Sequence, residues 1–220
     1  MKFILALLVI PLPWWIKKYI YKYVFHYEIG NSCKIGFSFV FPQKLIMHDG
    51  ATIGHLNRIY HIHLLEMGKN SIMSRGNIVT GHVKKDKSYN LRPLRRSELI
   101  IGDESSITIG HHLDCTDRIM IGNFTTLAGL NSQYMTHSIN FEGGYQDCQP
   151  IKIGNYCFVG TNVVVLGNFK LPDYSILAAS SFSKESFSDS YCLYGGIPAR
   201  KIKKISAEWL YFKRNKGFVN

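Results

Sequence analysis

The stretch Ile153-Gly154-Asn155-Tyr156-Cys157-Phe158-Val159-Gly160-Thr161-Asn162-Val163-Val164-Val165 places an aliphatic residue at every sixth position, with glycine directly after the first two. The same step onward meets Leu171 and Leu177. Started at Ile29, it meets Ile35, Phe41, Met47, Ile53, Ile59 and Leu65. Further Ile-Gly pairs stand at Ile101-Gly102, Ile109-Gly110 and Ile121-Gly122, and the phase slips by two residues near Met67 and again near Ile109 or Ile121. A helix cannot hold this pattern, because six residues turn it through about 600° and an apolar stripe drifts. A coiled sheet can. A short strand points its aliphatic residue inward, and the small residue beside it lets the chain turn a corner. Three such sides give a rung of about eighteen residues, and rungs stack at roughly 4.8 Å into continuous apolar columns. The spacing predicts seven or eight rungs over residues 29–205, an all-β parallel β-helix.

The bulk numbers agree with one folded repeat domain. The chain has 220 residues, 46% of them hydrophobic and 19% charged, enough to bury a core. Its formal net charge of +11 suits an anionic partner. No zinc spacing or interleaved basic-aromatic signature supports nucleic acid as that partner. Five cysteines, Cys33, Cys115, Cys148, Cys157 and Cys192, are odd in number and scattered, which reads as buried reduced thiols in a cytoplasmic protein.

Three segments depart from the repeat. Residues 1–28 open with an apolar run from Phe3 to Leu12, too short to span a bilayer and lacking the small residues of a cleavable signal. Beyond it Ile16, Tyr19, Ile20, Tyr23, Val24 and Tyr27 follow helical spacing, and Lys17, Lys18 and Lys22 fall on another face. That is the composition of an interfacial helix, with residues 1–27 in peripheral contact with a membrane, and equally of a cap on the open end of the coil. Residues 81–98 form a basic loop carrying Lys84, Lys85, Lys87, Arg92, Arg95 and Arg96. Residues 138–150 form a second loop around Gly143-Gly144. Residues 206–220 predict a short C-terminal helix, capped by Ser206, with Glu208 in the first turn and Lys213 and Arg214 in the last.

The chemistry-bearing string is Thr136-His137-Ser138, then Ile153 to Gly160, then Leu177-Ala178-Ala179-Ser180-Ser181-Phe182-Ser183-Lys184, closing with Gly195-Gly196-Ile197-Pro198-Ala199-Arg200-Lys201. In this order the chain resembles the hexapeptide-repeat acetyltransferases that act on galactosides, maltose, chloramphenicol-type drugs and bacterial surface polysaccharides. The resemblance implies a left-handed coil, a homotrimer, and acetyl transfer from acetyl-CoA to a sugar hydroxyl with His137 as general base. It further implies that Asp114 and Asn131 meet the acceptor, and that Gly160, Ala178, Ala179, Ser180, Lys184, Arg200 and Lys201 meet the coenzyme. Ala179 stands where relatives usually carry glycine, and Phe158 where they often carry tryptophan. The carboxylate that orients His137 is left open among Asp114, Asp117, Glu142 and Asp147.

Other functions remain open at this level. Acetyl transfer to an amino sugar would use the same base. A non-catalytic scaffold would explain the coil and the basic segments without coenzyme binding. Zinc chemistry of the carbonic-anhydrase kind needs paired histidines on one corner, and His111, His112 and His137 do not supply them, so no metal is expected. A short chain with an apolar, basic start fits an enzyme of the cytoplasm or inner membrane face.

Overall fold

The computed structural model describes residues 2–83, 89 and 92–217. Three parallel sheets face one another as the sides of a prism. The first side has seven strands: Glu28–Ile29, Lys44–Met47, Leu64–Met67, Glu98–Ile101, Ile119–Ile121, Ile151–Ile153 and Lys170–Leu171. The third side also has seven, including Phe39–Phe41, His112–Asp114, Gln133–Met135, Val164–Leu166 and Phe182–Ser183. The second side runs from Lys34–Ile35 to Cys192–Gly196 and gains a ninth, antiparallel strand, Ala199–Lys204.

The inward columns are those the hexad spacing marks. On the first side Ile29, Met47, Met67, Ile101, Ile121, Ile153 and Leu171 lie in register, each at most 5% exposed. On the second, Ile35, Ile53, Met73, Ile107, Leu127, Val159 and Leu177 do the same. Longer first-side strands such as Lys44–Met47 bury two residues, Leu45 and Met47. The slip of two arises there: Met67 follows Met47 by 20 residues, whereas Met47 follows Ile29 by 18. Two inward residues differ from expectation. On the second side Ile107 is buried and Ile109, of the Ile109-Gly110 pair, is 38% exposed. Val40, not Phe41, joins the third-side column, because the first corner there is one residue shorter. Phe41 instead packs its ring against Phe3 and Phe25.

Two helices, α1 (Lys2–Val9) and α2 (Trp14–Tyr23), close the first coil. α1 buries Ala6 and Val9; α2 buries Lys17 and Tyr21. The stripe of α2 divides: Tyr19, Tyr23 and Val24 are exposed, Ile16 and Ile20 are half-buried and Tyr27 is buried, and Lys18 and Lys22 lie beside Tyr19 and Tyr23 rather than on a separate face. Lys17 is turned in because its Nζ donates to the Gly36 carbonyl at 2.8 Å and lies 4.9 Å from the Phe37 ring centre, satisfying the end of the coil. At the far end the described residues after 205 form no α-helix. A 3-10 turn, Leu210–Phe212, is all that appears, although Ser206 Oγ does accept from Glu208 N. This tail runs back over a corner ladder of stacked rings, Phe124, Tyr156, Tyr174 and Tyr191, spaced 4.7, 5.2 and 4.8 Å apart. Tyr211 is bonded to the Cys157 carbonyl and Gly217 N to Glu104, so packing against the ladder replaces helix formation.

Candidate active site

His137 follows the third-side strand Gln133–Met135, where the chain leaves the prism. It opens an antiparallel hairpin, His137–Asn140 with Tyr145–Cys148, in which His137 sits opposite Cys148. Gln149 N donates to the Thr136 carbonyl at 3.0 Å and closes the hairpin base. Gly167 of the next coil lies against that base. A Cβ there would fall 2.9 Å from the Thr136 oxygen, so glycine is required for the close approach.

Asp114 ends the strand one coil earlier, level with Met135. Its Oδ2 lies 2.6 Å from His137 Nδ1. Its Oδ1 accepts from Thr116 N at 2.9 Å and lies 3.2 Å from the Thr136 hydroxyl, which donates mainly to the Asp114 carbonyl at 2.7 Å. Burial would push the Asp114 carboxyl up, but the hydrogen bonds from His137 and Thr116 outweigh it and hold the group below the usual carboxylate value. The same bond raises the His137 imidazole above the ordinary histidine value, against some opposing desolvation. An ionised carboxylate only accepts, so Nδ1 of neutral His137 carries the proton and Nε2 keeps its lone pair. The side chain of His137 is 44% exposed and that of Asp114 10%, which leaves the free nitrogen in reach of a substrate.

A second pair braces the hairpin. Arg92 Nε donates to Asp147 Oδ1 at 2.5 Å and its terminal nitrogen to Oδ2 at 3.0 Å. Asp147 stands opposite Ser138, one residue from His137. Arg95, expected on a solvated basic loop, is buried: it donates to the carbonyls of His82, Val83 and Thr116 and lies over the Tyr89 ring at 4.8 Å. Lys84, Lys85 and Lys87 lie outside the described residues. Neither arginine contact has a sequence signal: Asp147 lies 55 residues from Arg92, and Arg95 is held by backbone carbonyls, which no residue type marks.

No family model matches the chain, and no curated protein matches it. Solved structures do match. A maltose O-acetyltransferase from Clostridium difficile 630 is 22% identical over 63% of this chain and 68% of its own, with a TM-score of 0.51. A hexapeptide transferase family protein from Anaplasma phagocytophilum is 20% identical over 77% and 85%, at 0.55. A mutant of AntD, an N-acyltransferase from Bacillus cereus solved with dTDP-4-amino-4,6-dideoxyglucose and coenzyme A, is 18% identical over 86% and 89%, at 0.58. The chain has the hexapeptide-repeat, left-handed β-helix fold.

Within this hexapeptide coil the sequence-marked residues fall into two groups. Lys184 lies on the His137 edge of the third side, in a groove shared with Ser138, Phe141, Gly167 and Asn168. Asn131, Gly160, Ala178, Ala179 and Ser180 lie around the opposite corner; a six-residue side at ~3.3 Å per residue puts them about 20 Å from His137 in the same chain. Gly160 packs there so closely that a Cβ would lie 2.6 Å from Ala179 N, and Ala179 and Ser180 are exposed. Arg200 and Lys201, on the last strand, pair with Glu185 at 2.7 Å and Asp189 at 2.6 Å. Asp114, marked for the acceptor, has both carboxylate oxygens engaged inside the protein. Among the described residues no group of three or more His, Cys, Asp or Glu could hold a metal ion. His111 is buried and neutral, its pKa pushed down to about 4 by desolvation; its Nδ1 accepts from Ser132 N, and Nε2 lies 3.0 Å from the Thr108 hydroxyl.

Proposed function

We propose that this chain transfers the acetyl group of acetyl-CoA to a hydroxyl of a bacterial surface polysaccharide or its precursor, with His137 as general base. The observation that carries the reading is the His137–Asp114 pair, an oriented imidazole with its free nitrogen on an exposed edge. As the acceptor oxygen attacks the thioester carbonyl, Nε2 takes the hydroxyl proton and Asp114 steadies the resulting imidazolium. Collapse of the tetrahedral intermediate breaks the carbon–sulfur bond, and the imidazolium returns the proton to the departing thiolate. Asp114 stays ionised throughout. Its role is to fix the tautomer, which differs from the acceptor contact that resemblance assigns it.

Lys184 supplies a cation to the groove that Ser138 also lines, and a fixed cation suits a coenzyme phosphate. The Ala178–Ser180 corner, about 20 Å away along one chain, would serve a site completed by a neighbouring copy, as in the trimer that resemblance implies. The fold neighbours include an O-acetyltransferase and an N-acyltransferase, so the acceptor panel should hold both hydroxyl and amino sugars. The test is acetyl-CoA turnover on that panel. His137→Ala should lower kcat/KM about 10²–10⁴-fold, and coenzyme binding without any turnover would reject the reading.

A further inference from the structure

The two terminal helices are apolar on faces that the fold does not use. In α1 the inner face, Ala6 and Val9, seals the coil, while Ile4, Leu7 and Leu8, related by three and four residues, point outward and are 62, 45 and 63% exposed. In α2 the outer face presents Trp15, Tyr19 and Tyr23, which are 74, 64 and 64% exposed, with Tyr19 and Tyr23 in ring contact at 4.8 Å. Lys22 is exposed and Lys18 half-buried on that same face. The first 27 residues hold four lysines and no Asp or Glu. The N-terminal pole of the molecule thus exposes an aliphatic strip on one helix and an aromatic and cationic one on the next, surface that calls for a partner.

We propose that this pole docks on the surface of an anionic lipid bilayer. The helices would lie in the interface, because α1 at 8 residues and α2 at 10 reach only about 12 and 15 Å, against a hydrocarbon core of about 30 Å. Among the described residues no helix is long and apolar enough to cross. Aromatic rings and lysines suit the headgroup layer, and the aliphatic strip of α1 suits the acyl boundary below it. A protein partner fits less well, since interface cores are depleted of lysine and here the lysines interrupt the apolar face. Charge supplies the preference for anionic lipid: each exposed lysine near such a surface raises the partition roughly fivefold at low salt.

The experiment is co-sedimentation of the full chain with vesicles, and it needs neither acyl donor nor acceptor, so it stands apart from the acyl-transfer reading. Vesicles of phosphatidylethanolamine with phosphatidylglycerol should capture the protein, vesicles of phosphatidylcholine far less, and high salt should release it. Lys18→Gln and Lys22→Gln should each weaken capture about fivefold. Leu7→Glu with Leu8→Glu should abolish it while leaving thermal unfolding unmoved, because both side chains are solvent-facing. Failure to sediment with either vesicle, or equal capture of all variants, overturns the proposal. So does the outcome in which Leu7→Glu with Leu8→Glu leaves no vesicle effect but breaks an oligomer in light scattering, for then the face joins copies of this chain.

Discussion

At the scale of the residue, the bond between His137 and Asp114 ties activity and stability to pH in opposite directions. The base must be neutral, so kcat/KM should fall as pH drops through a His137 pKa that Asp114 holds above the ordinary value. Asp114→Asn removes the charge and should shift that acidic limb to lower pH, while slowing the plateau because the imidazole loses its fixed tautomer. A pH profile of single-substrate kcat/KM on both proteins checks this. Stability runs the other way. A group whose folded pKa is raised stabilises fully below its unfolded value, near ~6.5, and loses that contribution as pH rises through the folded one. The melting temperature of the native chain should therefore exceed that of His137→Gln by more at about pH 5.5 than at about pH 9. An equal difference at both ends would show that the pair does not form in solution.

At the scale of the element, the hairpin that carries His137 is held by its neighbours more than by its own two short strands. The base is fixed by Gln149 and by the close fit of Gly167, and the outer strand is fixed by the bidentate Arg92–Asp147 pair. Asp147 is mostly buried in this contact and Arg92 is not, so the pair contributes little to global stability and much to where His137 points. Arg92→Ala should lower kcat up to about 10²-fold through misplacement of the base, with the pH limb of His137 unmoved. Exchanging the charges, Arg92→Asp with Asp147→Arg, should recover part of the loss, and a double-mutant cycle on kcat measures the coupling. Unchanged kcat in Arg92→Ala would mean that the hairpin holds its shape without the brace.

At the scale of the whole molecule, the coil was legible because its information is periodic: Ile153, Val159, Val165, Leu171 and Leu177 each repeat one local instruction and end up buried. Non-periodic contacts were not legible. Lys17 reads as an outward lysine until an uncapped carbonyl at Gly36 claims it, and Arg95 reads as loop charge until three carbonyls do the same. The tail around Ser206 carries helix signals, yet the ring ladder at Tyr156 and Tyr174 offers better packing to Tyr211 and Phe212 than a helix would. Asp114 was one of four possible partners for His137, and only the register of its strand with Met135 selects it. The same register separates the base from the Ala178–Ser180 corner by a full side of the prism. If both groups serve one reaction, they must come from two chains, and a ring of copies supplies that arrangement. His137→Ala and Ala179→Glu should then each be inactive alone. Mixed under conditions that exchange subunits, they should recover activity, because about a quarter of adjacent pairs then join an intact base to an intact corner. Co-purification of the two differently tagged variants shows whether exchange has taken place. If exchanged mixtures stay inactive, the site is built within one chain and the corner serves some other end.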